Sequence, residues 1–92
     1  MKILIIDDER NICYTLRGIL EDEGHEVLSA YNARSGLALF EETEPDAVIL
    51  DVKLPDGNGL DILAKIKTVV PELPVIMISG NSNISEDRKS VV

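Results

Sequence analysis

Ala47-Val48-Ile49-Leu50-Asp51-Val52-Lys53-Leu54-Pro55-Asp56-Gly57-Asn58-Gly59 is the stretch that decides the fold. Its four leading apolar residues read as a short strand buried on both faces, and the run stops at Asp51. Leu54 to Gly59 then carries a strong loop signal, because Pro presets a turn dihedral and Gly, Asn and Asp tolerate tight backbone. On the C-terminal side, Leu60, Leu63, Ile66 and Val70 mark one face of a helix that Pro71 ends. Val75 to Ile78 is a further apolar strand, closed by Ser79-Gly80.

The N-terminal half repeats the pattern. Ile3 to Ile6 is a β-branched run that stops at Asp7-Asp8. Ile12, Leu16, Ile19 and Leu20 share a helical face, with Gly24 as its C-terminal stop. Glu26 to Ala30 reads as a strand, and Ala33, Leu37 and Phe40 mark a helix that ends before Pro45. The result is β-α-β-α-β-α-β with short connections. Such alternation predicts an α/β fold, a doubly wound parallel sheet with helices on both faces and right-handed crossovers. Ligands of such sheets bind beyond the carboxyl ends of the strands. Three of the four predicted strands end in oxygen-bearing side chains: Asp7-Asp8, Asp51 and Ser79.

Composition narrows the chemistry. Ninety-two residues make one small domain, and 45% hydrophobic content makes it a folding one. Nine Lys plus Arg against seventeen Asp plus Glu leave a formal charge of −8, which disfavours direct nucleic-acid binding or an anionic membrane surface. Aromatics are 3%, too few for base-stacking platforms. Cys13 stands alone, so neither an internal disulfide nor a cysteine metal cluster can form. No apolar run approaches the roughly 18 residues of a membrane helix, and the five residues before the acidic pair are too short for a signal peptide. A soluble cytoplasmic protein is the default expectation.

Carboxylates gathered at one sheet edge repel one another unless a cation sits between them. Hard oxygen donors with no Cys or His pair nearby select Mg²⁺, Mn²⁺ or Ca²⁺ over zinc. Mg²⁺ takes one or two carboxylates and keeps waters, with phosphate completing its shell. These residue types therefore fit a metal-assisted phosphoryl site with one carboxylate as nucleophile. Ser79 could donate its hydroxyl to a phosphoryl oxygen. The competing reading has Asp7, Asp8 and Asp51 capping the helices or loops that follow them.

Three segments together carry a family resemblance: Ile5-Ile6-Asp7-Asp8-Glu9, Val48 to Gly59, and Val75-Ile76-Met77-Ile78-Ser79-Gly80. Over residues 1–84 the chain resembles the receiver domains of two-component response regulators, in particular those attached to sigma-54-type activators. The resemblance implies a flavodoxin-like, CheY-like fold with strand order 2-1-3-4. It also implies a histidine kinase as phosphoryl donor, Asp51 as phosphoacceptor, and an output domain or downstream protein as recipient of the signal. Mg²⁺ would be held by Asp7, Asp8, Asp51 and the backbone carbonyl of Lys53. Ser79 would be the switch hydroxyl, while Pro55 and Gly59 would shape the acceptor loop.

The family also places a fifth strand and helix after these elements, with a lysine at the end of that strand. No residue here matches that lysine: Lys53 lies in the acceptor loop, and Lys89 follows no strand. The receiver is thus expected to be C-terminally shortened, with residues 85–92 a short helix or disordered tail. Val75 to Ser79 then becomes an apolar sheet edge, a template for self-association or for swapped terminal elements. A degenerate receiver serving as a non-switching interaction or dimerisation module is the alternative. An Mg²⁺-dependent phosphohydrolase is disfavoured, because Lys53 stands where a second acid/base aspartate would be needed.

Minor expectations complete the reading. Cys13 is a packed or half-exposed thiol and His25 a turn residue. Arg10 and Asn11 start the first helix or line the site. Lys65 and Lys67 form a solvated face, and Tyr14 and Tyr31 pack in the core or its rim.

Overall fold

A computed structural model describes residues 1–78. Ser79 and the predicted tail at 85–92 lie outside the described residues. The elements follow in the order β1 (Lys2–Ile6), α1 (Arg10–Asp22), β2 (Glu26–Ala30), α2 (Ala33–Thr43), β3 (Ala47–Asp51), β4 (Lys53–Leu54), β5 (Gly57–Asn58), α3 (Gly59–Val69) and β6 (Val75–Ile78). β2, β1, β3 and β6 form one sheet in that order, and each neighbouring pair is parallel. This is the expected 2-1-3-4 arrangement, counting only the strands of the main sheet. The stretch read as a loop after Asp51 contains one refinement: β4 and β5 form a two-residue antiparallel hairpin, with Lys53 opposite Asn58 and Leu54 opposite Gly57.

Strand periodicity divides the core into two layers. Leu4 and Ile6 of β1 face one way and join Val48, Leu50, Phe40, Ile62 and Ile66 beneath α2 and α3. Ile3 and Ile5 face the other way and pack with Val27 and Cys13 beneath α1. α2 lies so close to β1 that a Cβ on Gly36 would overlap the Ile6 side chain. The sheet is buried on both faces where helices cover it, as the near-continuous apolar runs require.

Helix ends follow local chemistry. Gly24 adopts φ 92° after α1, the left-handed stop for which glycine suffers no Cβ clash. Asn32 caps α2 by accepting from Ser35 N–H at 2.8 Å, and Asn58 caps α3 by accepting from Leu60 N–H at 2.7 Å. α2 ends on Glu44 at φ 50°, an unusual left-handed residue just before Pro45.

Several side chains depart from the sequence reading. Tyr14 is 81% exposed, so it packs in neither core nor rim. Ile66 of the expected α3 face is buried, but Ile19, Leu60 and Val70 are exposed, because α1 and α3 also turn Cys13 and Ile62 inward. Lys67 is not merely solvated: its ammonium donates to Leu73 O at 2.7 Å and Pro71 O at 3.3 Å, holding the turn into β6. Arg10 begins α1 and lays its guanidinium 4.1 Å from the Tyr31 ring centroid. His25 lies in the turn before β2, with Nδ1 3.1 Å from the N-terminal amine.

Candidate functional site

β1 and β3 are adjacent and parallel, so their carboxyl ends lie side by side. This brings together residues more than forty positions apart. Asp7, Asp8 and Asp51 each offer a carboxylate oxygen, and the three oxygens lie within 4.8 Å of one another. Asp7 is fully buried and Asp51 is 5% exposed, whereas Asp8 opens to solvent.

Capping accounts for half of this arrangement. Asp7 Oδ1 accepts from Glu9 N–H at 2.9 Å, and Asp51 Oδ1 accepts from Lys53 N–H at 3.3 Å. Both are local turn bonds of the kind aspartate makes. Neither residue caps α1, whose N-cap is Glu9 with no side-chain bond. Asp7 Oδ2 remains buried with no hydrogen-bond partner. An oxygen in that position is costly unless a proton or a cation meets it.

The electrostatics agree. Burial, opposed by the Glu9 N–H and reinforced by the Asp51 charge, pushes the Asp7 carboxyl up to about 6. Behind it, the Cys13 thiol donates to Asp7 O at 3.4 Å, and burial together with the Asp7 charge pushes that thiol up to about 11. Cys13 is thus a neutral packing group supporting the Asp7 backbone. Its position in a helix gave no hint of that contact.

The segment after Asp51 is built against β3. Gly59 N–H donates to Val52 O at 2.7 Å, and a Cβ on Gly59 would overlap the Asp51 carbonyl. Only glycine fits there. Pro55 sits exposed in the two-residue turn between β4 and β5, beside Asp56. The orphaned Asp7 oxygen and the all-oxygen donor set of Asp7, Asp8 and Asp51 fit a hard divalent cation.

The profile of the family described as "Response regulator receiver domain" matches residues 3–92. The chain is 44% identical over 84 residues to the nitrogen assimilation regulatory protein NtrX of Azorhizobium caulinodans, covering 89% of this chain and 18% of that protein. Among solved structures, it is similar to the receiver domain of NtrX from Brucella abortus, with TM-score 0.80, 44% identity, and coverage of 97% of this chain and 76% of that one. It is also similar to response regulator TrrA from Thermotoga maritima, solved in complex with Mg²⁺-BeF, with TM-score 0.82, 32% identity, and coverage of 97% and 77%. The chain therefore spans less than a fifth of the NtrX relative but most of the separately solved receivers. Among the described residues no helix is long and apolar enough to cross a membrane. On sequence, fold and strand-end chemistry together, the chain belongs to the response regulator receiver family.

Proposed function

We propose that Asp51 accepts a phosphoryl group from a histidine kinase, with Mg²⁺ at the Asp7–Asp8–Asp51 cluster, and that the resulting change in surface signals to an output domain or downstream protein. The observation that carries this reading is the buried, unpartnered Asp7 Oδ2 in a cluster of three carboxylates whose oxygens lie within 4.8 Å of one another. The TrrA complex with Mg²⁺-BeF supports it by likeness. Asp7, Asp8, Asp51 and the Lys53 carbonyl would hold the metal. Bound Mg²⁺ supplies positive charge against the phosphoryl oxygens and the acidic cluster.

This chain's own residues do the rest. The Lys53 N–H holds Asp51 Oδ1, orienting the carboxylate for in-line attack by its other oxygen on the donor phosphorus. The bond from phosphorus to the donor nitrogen breaks as the bond to Asp51 forms, and the imidazole leaves. Gly59 keeps backbone, not a side chain, against the Asp51 carbonyl. Ser79 is assigned the switch hydroxyl on the family pattern, and Pro55 the shaping of the acceptor turn.

Incubation with acetyl phosphate and Mg²⁺, followed by intact-mass measurement, tests the reading. We expect a gain of one phosphoryl group that disappears in Asp51→Asn and when Mg²⁺ is chelated. A folded protein that binds Mg²⁺ but gains no mass would favour the alternative, a non-switching interaction module.

A specific observation favours an interaction role alongside switching. Among the described residues β6 pairs with β3 alone, and its Ile76 is 56% exposed. Self-association along residues 75–79, or exchange of terminal elements, would cover that edge.

A further inference from the structure

The first turn of a helix presents N–H groups with no intrahelical acceptor. In α2 these belong to Ala33, Arg34 and Ser35, and only Ser35 is served from within the helix, by Asn32. The other two are taken by a single carboxylate from a different element: Asp56 Oδ1 accepts from Ala33 N–H at 2.6 Å, and Asp56 Oδ2 accepts from Arg34 N–H at 3.1 Å. Both oxygens of one side chain are thus spent on the start of a helix more than twenty residues earlier in sequence.

Asp56 is no ordinary cap, because of what it is attached to. It occupies the turn of the β4–β5 hairpin, whose first strand begins at Lys53. At the root of that hairpin, Lys53 N–H contacts Asp51 Oδ1 and Gly59 N–H binds Val52 O. The tip also lies close to α2, since a Cβ added to Gly57 would stand 3.5 Å from the Ala33 side chain. The hairpin is therefore tied at one end to the acceptor carboxylate and at the other to the N-terminus of α2.

We infer that Asp56 is a positioning residue: by gripping the α2 amides it fixes the Lys53 segment over the cation cluster, and it couples events at Asp51 to the start of α2. This rests on the reading of that cluster as a Mg²⁺ and phosphoryl site. A negative charge at a helix N-terminus is favourable, and the Ala33 N–H in particular holds the Asp56 carboxyl below the usual carboxylate range. The carboxylate stays ionised and bidentate under ordinary conditions. Coupling between two sites is reciprocal. Cation binding that orders the Lys53 segment must accordingly tighten the Asp56 grip, and loss of the grip must weaken cation binding.

The test uses the whole chain and MgCl₂ alone. In the wild type, Mg²⁺ should slow amide hydrogen exchange at Ala33 and Arg34, measured by NMR, and Asp8→Asn should abolish that effect. Asp56→Ala should raise the Mg²⁺ dissociation constant about fivefold or more and speed exchange at the same two amides. Asp56→Asn keeps one acceptor oxygen and should fall between. Should Asp56→Ala not fold, the wild-type exchange measurement and Asp56→Asn carry the test. Mg²⁺ binding with equal affinity in wild type and the Asp56 variants, or binding that leaves the two amides unmoved, overturns the coupling alone. No Mg²⁺ binding in the wild type overturns the coupling together with the metal reading.

Discussion

At the residue scale, Asp7 carries an internal conflict that a cation would resolve. Its carboxyl titrates near 6 in the folded chain, against an ordinary value of 3.8. The folded state therefore holds this proton more tightly than the unfolded state does. The resulting stabilisation is fully present below pH 3.8 and is lost as pH rises through about 6. Two pK units correspond to a loss on the order of 2–3 kcal/mol in the metal-free protein at neutral pH. Asp7→Asn supplies a permanently uncharged side chain of the same shape. We expect it to raise metal-free stability at pH 7.5 by about 1–3 kcal/mol, with little gain at pH 4, in urea titrations at the two pH values. The same variant should lose the Mg²⁺-dependent stabilisation expected of the wild type. A variant no more stable than wild type at pH 7.5 would mean that Asp7 is not strained.

At the element scale, α2 is capped twice, from inside by Asn32 and from outside by Asp56. The two caps use the same hydrogen-bond chemistry but differ in what they connect. Asn32 joins α2 to itself, so Asn32→Ala should destabilise the protein by about 0.5–2 kcal/mol in urea denaturation. It should leave the Mg²⁺ dissociation constant unchanged within about twofold, since no hydrogen bond of Asn32 reaches the acceptor loop. A shift as large as that of Asp56→Ala would show that any loss of the α2 N-terminus disturbs the cluster, and that the hairpin tie is not special.

At the scale of the whole molecule, the β6 edge and the net charge oppose one another. Ile76 is 56% exposed on a strand with one described partner, which favours pairing with another chain. The formal charge of −8 disfavours it through repulsion that salt screens. Association should therefore grow with protein concentration and with added NaCl in light-scattering measurements, and Ile76→Lys should reduce it. A monomer at high micromolar concentration and high salt would remove self-association through this edge.

The sequence by itself determined the alternation of elements, the parallel sheet and the strand ends at Asp7-Asp8 and Asp51. Those features rest on local periodicity and on turn residues whose backbone preferences are intrinsic. Motif resemblance then carried the family and the acidic cluster, which the adjacency of β1 and β3 brings together. Packing decided the remainder. Leu60 and Ile62 are both apolar on α3, yet only Ile62 is buried, because the rotation of a helix is set by the sheet beneath it. Lys67 reaches the carbonyls of Pro71 and Leu73 only because the chain turns back toward β6. Asp56, in a Pro-Asp-Gly turn, has all the local marks of a turn former. That its two oxygens cap a helix begun more than twenty residues earlier depends on where α2 and the hairpin come to rest, and hydrogen bonds across that separation leave no periodicity in the chain for a reader to find.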